Sequence, residues 1–155
     1  MKYIQQFPGG EWDLTAYFVY LNANQGKFPL EAINFALDQR NYDLTSHQSL
    51  HDAWLEWFLV SEPATGARSE TRGIQIECRL LGPFHDCYIE LKYIDVQEYK
   101  ITAGRVTKNP LVGHGDLLMH EMRIERSYLI HEMVFSGGSI VEITSGRFSH
   151  QLINR

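Results

Sequence analysis

The chain has 155 residues, enough for one domain with a self-sufficient core, and its 44% hydrophobic and 21% charged residues exclude a disordered polymer. Its formal charge of -5 comes with basic residues scattered rather than clustered, which excludes a strong phosphate-backbone binder and suits a basic protein partner. No apolar run approaches the ~20 residues of a membrane span and the start lacks a signal-peptide core, so the expected address is the cytoplasm.

Residues 1–155 are expected to form a single domain with a mainly helical part over 1–49 and an antiparallel β meander over 50–155. Gly9-Gly10 breaks regular structure, and Asp13 can cap a helix with Leu14, Tyr17, Phe18 and Leu21 at helical spacing. The run Tyr17-Phe18-Val19-Tyr20 is also strand material, so helix is the preferred reading there and strand the alternative. Pro29 suits the first turn of a second helix, whose apolar stripe is Leu30, Ile33 and Leu37.

From Ala53 onward the apolar period changes from 3.6 to 2. Strands are predicted over 53–61, 73–81, 87–93 and 96–101, with a bend at Asp95 between the last two. Four more follow over 117–125, 128–135, 139–144 and 147–153, separated by Ser127, Ser136-Gly137-Gly138 and Ser145-Gly146. Two helical segments followed by about eight strands make an α+β domain whose largely antiparallel sheet is curved or barrel-like. The connection 102–116, rich in glycine and proline, is long enough to be functional or mobile. Cys78 and Cys87 have neither zinc-ribbon nor Cys-x-x-Cys spacing and read as buried, reduced thiols.

One phrase occurs twice. Leu50-His51-Asp52-Ala53-Trp54-Leu55-Glu56-Trp57 returns as Phe84-His85-Asp86-Cys87-Tyr88-Ile89-Glu90-Leu91, each copy putting a His-Asp doublet at a strand entrance. His114-Gly115-Asp116 stands before a third strand. If consecutive strands are antiparallel neighbours, all three enter the sheet from one rim, with the first two roughly 10 Å apart. His51, Asp52, His85, Asp86, His114 and Asp116 are therefore the candidate rim cluster, and His51, Asp52, His85 and Asp86 the candidate metal ligands. The competing reading makes each Asp a cap on backbone N–H groups and each His a packing residue. His-Asp is also the signature of metal-dependent phosphohydrolases, but their doublet lies in an all-helical domain, and these surroundings alternate like strands.

Elsewhere, His120-Glu121 and His131-Glu132 read as exposed strand polars, each pair split between opposite faces by alternation. Trp54 and Trp57 have opposite parity, so one faces the core and the other is covered by a helix or left as an anchor for a partner, coverage being preferred. No Gly-x-Ser-x-Gly elbow or phosphate-binding loop occurs.

The strings Leu50-His51-Asp52-Ala53-Trp54-Leu55-Glu56, Leu80-Leu81-Gly82-Pro83-Phe84-His85-Asp86 and Gly113-His114-Gly115-Asp116-Leu117-Leu118 resemble a group of small uncharacterised bacterial proteins, over about residues 50 to 145. Similar-looking domains occur among the immunity proteins of bacterial polymorphic toxin systems. The resemblance implies a compact cytoplasmic protein that binds another protein, a toxin in the immunity case. The expected function is thus a non-enzymatic protein-binding module with no cofactor, nucleic acid or membrane involved. The alternative is a divalent-metal hydrolase or small-ligand binder at the rim, and homo-oligomerisation through an uncovered edge strand stays open.

Overall fold

The computed structural model describes residues 1–102 and 113–155. The run with both helix and strand character is helix α1 (Thr15–Asn24), with Tyr17 and Leu21 buried. Its N-cap is Leu14 and carries no side-chain cap, so the expected cap shifts to a local turn one residue earlier, where Asp13 Oδ1 accepts the Thr15 N–H at 2.9 Å. Ahead of it the Gly9-Gly10 break is the turn of a small ribbon that pairs β1 (Gln5–Gln6) with β2 (Trp12–Asp13). Helix α2 (Leu30–Leu37) follows, with Pro29 at its N-terminal cap and Ala32, Ile33, Phe35 and Ala36 buried.

The remaining strands are β3 (Trp54–Ser61), the short ribbon β4 (Ala64–Thr65) and β5 (Thr71–Arg72), β6 (Gln75–Leu81), β7 (Cys87–Thr102), β8 (Leu117–Glu125), β9 (Tyr128–Phe135) and β10 (Ile140–Asn154). Six of them form one antiparallel sheet in the order β3-β6-β7-β10-β9-β8. The α+β class and the antiparallel sheet match the sequence reading. Eight expected strands become six because Asp95 and Ser145-Gly146 mark an irregularity inside two long strands rather than turns between short ones. Pairing runs Arg147↔Ile94, Ser145↔Val96 and then Thr144↔Glu98, so the register shifts between Thr144 and Ser145 and leaves Gln97 as the extra residue, two positions from Asp95 with its φ of 56°. A β-bulge of this kind bends a strand while the ladder continues. Most of the connection expected to be functional or mobile, including Gly104 and Pro110, lies outside the described residues.

The pairing of β7 with β10 corrects the assumption that consecutive strands are neighbours throughout. Two three-stranded meanders, β3-β6-β7 and β8-β9-β10, join along their long strands, which sends β8 to the far edge of the sheet. By the alternation of directions β8 runs antiparallel to β3 and does not enter from the same margin. The sheet nevertheless rolls until its two edges touch at one corner. There the Asp52 N–H donates to the Leu117 carbonyl at 2.8 Å, and the Leu117 N–H donates to the Ala53 carbonyl at 2.9 Å.

One face of the sheet carries the helices and the main core: Phe35 of α2 meets the rings of His120, His131, Phe148 and His150. Helix α1 also protects the β8 edge, because the hydroxyls of Tyr17 and Tyr20 accept the outward N–H groups of Met122 and Ile124 at 2.8 Å each. An edge strand left bare would be a template for association. Cys78 and Cys87 are free and buried, and burial pushes the Cys78 thiol up to about 12. No helix among the described residues is long and apolar enough to cross a membrane.

Candidate functional site: the sheet corner and the outer face

The first two doublets share a margin. Trp54 pairs with Leu81, which pairs with Tyr88, so His51 and His85 precede equivalent strand entrances, each with one residue of its doublet left-handed (Asp52 φ 65°, His85 φ 59°). Trp54 gathers the surroundings: its ring packs edge-on against His85 with centroids 4.4 Å apart, and its Nε1–H donates to Asp116 Oδ1 at 2.7 Å. Asp116 reaches this corner through the rolling of the sheet, not through strand counting.

The carboxylates of the doublets serve different partners. Asp86 Oδ2 binds His47 Nδ1 at 2.6 Å, an interaction that holds its carboxyl below the usual range, and the His47 ring stacks on Phe84. His114 Nδ1 turns away to Ser139 Oγ at 2.8 Å. His51 Nδ1 lies 3.0 Å from Asp52 Oδ1 but makes no hydrogen bond of acceptable geometry. Among the described residues, no three His, Cys, Asp or Glu side chains are grouped so as to hold a metal ion.

Beside the corner is a cavity of about 370 Å³ that the sequence did not announce, because its walls come from distant segments. The β1–β2 ribbon supplies Trp12 and Glu11, the following stretch Leu14, the loop after α2 Tyr42 and Leu44, and the start of β8 Leu118 and Met119. His51 completes the wall. The size fits a small ligand, since such pockets run from about 300 to 1,000 Å³.

On the opposite side, the face of β3, β6 and β7 away from the helices is half-exposed and carries no covering element among the described residues. Register breaks between Leu55 and Trp57, so Trp54 pairs with Leu81 and Trp57 with Arg79, both on this outer face. The bulge at Glu56 therefore overrides the parity argument: neither tryptophan is covered by a helix, and Trp54 is 47% exposed. The Arg79 guanidinium lies 5.3 Å from the Trp57 ring centroid and 4.9 Å from that of Tyr88. Glu90 clamps it, accepting from both Nε and Nη2, and Gln151 Nε2 donates to the same carboxylate. Trp57, Glu77, Glu90, Lys92, Ser149 and Gln151 line a shallow groove of about 290 Å³ alongside.

His120-Glu121 and His131-Glu132 are split between faces as alternation requires, yet all four are buried, not exposed. On the helix side His120 Nδ1 meets His131 Nε2 at 3.1 Å, and His131 Nδ1 meets the Tyr93 hydroxyl at 2.6 Å, leaving His120 Nε2 without a partner. Burial lowers His120 to about 3 and His131 well below its ordinary value, with His120 and the Arg123 charge adding to the effect on His131. On the other face Glu121 accepts the N–H groups of Lys2, Tyr3 and Ile4 at 2.7–3.1 Å, pinning the N-terminal segment over the strands. Arg123 bridges Glu132 at 2.9 Å and Glu142 at 2.8 Å. A signal did exist: Leu129, Ile130, Met133, Val134 and Phe135 put apolar side chains on both parities of β9, the pattern of a strand covered on both sides.

Comparison with known proteins identifies no relative: no family model, no curated protein and no solved structure matches this chain.

Proposed function

We propose that this chain is a non-enzymatic protein-binding module that docks a protein partner on the outer face of β3, β6 and β7. One observation carries the reading: the Trp57–Arg79–Tyr88 layer, fixed by the Glu90 clamp and flanked by the exposed Trp54. Trp, Tyr and Arg are the side chains that dominate binding hot spots, and holding them rigid before contact lowers the ordering cost of association. An immunity-type inhibitor of a toxin, the role implied by the resemblance of residues 50 to 145, requires a pre-formed patch of this kind. The net charge of -5 favours a basic partner.

A metal-dependent hydrolase at the doublets has less support, because Asp86 and Asp116 are already engaged by His47 and Trp54. The test is gentle isolation of the tagged chain from its native host. A stoichiometric protein partner is expected, and a chain that is isolated alone in repeated preparations contradicts the proposal.

A further inference from the structure

The cavity beside the sheet corner lies apart from the outer face, and its chemistry is of another kind. Its walls are mostly apolar, with the Trp12 and Tyr42 rings among them and the Glu11 carboxylate as the charged member. No lysine or arginine lines it among the described residues. The one basic side chain, His51, has Asp52 Oδ1 3.0 Å from its Nδ1, so a second carboxylate stands directly behind the wall.

We propose that this cavity binds a small organic amine, an arylalkylamine in size, with its apolar body among Leu14, Leu118 and Met119 and its protonated nitrogen at the Trp12 and Glu11 side. Three physical arguments select that class. Aromatic faces attract cations through their quadrupoles and offer nothing to an anion. Glu11, an exposed lining residue, adds a modest, salt-sensitive attraction for positive charge and repels negative charge. The volume of about 370 Å³ lies near the lower end for small-ligand pockets and takes one small ring with a short tail.

The experiment is a titration of the full ¹⁵N-labelled chain with phenethylamine, 2-phenylethanol and phenylacetate, three molecules alike in shape and different in charge. The Trp12 indole N–H is identified by its loss in Trp12→Phe. Phenethylamine is expected to shift that resonance saturably, the alcohol to bind at least about threefold more weakly, and the acid at least about tenfold more weakly. Glu11 is exposed, so Glu11→Gln leaves the fold intact, and in it the amine and alcohol affinities are expected to converge to within about twofold. The proposal is overturned if phenethylamine gives no saturable shift up to about 10 mM, a free energy of binding weaker than about -3 kcal/mol. It is equally overturned if phenylacetate binds as well as the amine, or if the shifts fall on Trp54 and Trp57 instead.

Discussion

Glu121 ties the N-terminal segment to the sheet. Fully buried, its carboxylate receives three successive backbone N–H groups that would otherwise have no partner on that face. Charge-assisted bonds of this type are stronger than neutral ones, and losing the acceptor strands its donors. Glu121→Ala is therefore expected to cost about 2–4 kcal/mol in urea unfolding and to deprotect the Tyr3 and Ile4 amides in hydrogen exchange. Arg123 beside it is opposed by burial, but Glu142 and Glu132 more than offset this and hold its guanidinium above the ordinary range. The buried His120 and His131 make an acid-sensitive point. Both are lowered in the folded state, so below pH ~6.5 the unfolded chain takes up protons that the fold refuses, and stability falls with pH toward the folded value of about 3 for His120. The slope is at most about 1.4 kcal/mol per pH unit for each histidine. Unfolding midpoints measured from pH 7 to pH 5 are expected to fall, and to fall less steeply in His120→Phe.

At the level of elements, short connections and bulges set the shape. Arg126 and Ser127 join β8 to β9 with φ of 48° and 73°, the left-handed pair a two-residue hairpin needs, but filled by residues that resist it. Ser127→Gly is expected to stabilise the protein by about 0.5–1 kcal/mol, read as a higher urea midpoint at unchanged slope. The loops at the corner interlock more tightly. A Cβ on Gly137 would stand 2.5 Å from the His114 carbonyl oxygen, so Gly137→Ala is expected to destabilise by about 2 kcal/mol or more. The spans of β8 and β9 were legible because period and flanking turn residues agreed, whereas α2 was legible from Pro29 rather than from its stripe: Leu30 is exposed, and Ala32, Phe35 and Ala36 join Ile33 in the core. Asp95 and Gly146 were legible as breaks, but the bulge beside them at Gln97 was not, because the same break residues serve a turn between strands or a kink within one. Glu56 gave no warning at all, since a charged residue on an edge strand looks the same with or without an extra residue in the ladder, and with it went the facing of Trp54 and Trp57.

At the scale of the molecule, two meanders joined along β7 and β10 roll far enough to meet at the Trp54–Asp116 corner, with helices on one face and an aromatic, charged layer open on the other. His51 and His85 shared a margin as expected, since one intervening strand suffices for that inference. The position of Asp116 could not be counted, because it depends on a long-range pairing that local pattern does not encode. The outer face is the proposed seat of the partner. The direct measurement is the affinity of the isolated partner for Trp57→Ala compared with Leu30→Ala, a change at an exposed helix residue on the other side, both variants first shown to be folded by circular dichroism. Trp57→Ala is expected to weaken binding by about 2 kcal/mol, roughly 30-fold, while Leu30→Ala leaves it within about twofold. Binding unchanged in Trp57→Ala, or lost in Leu30→Ala, would contradict the account.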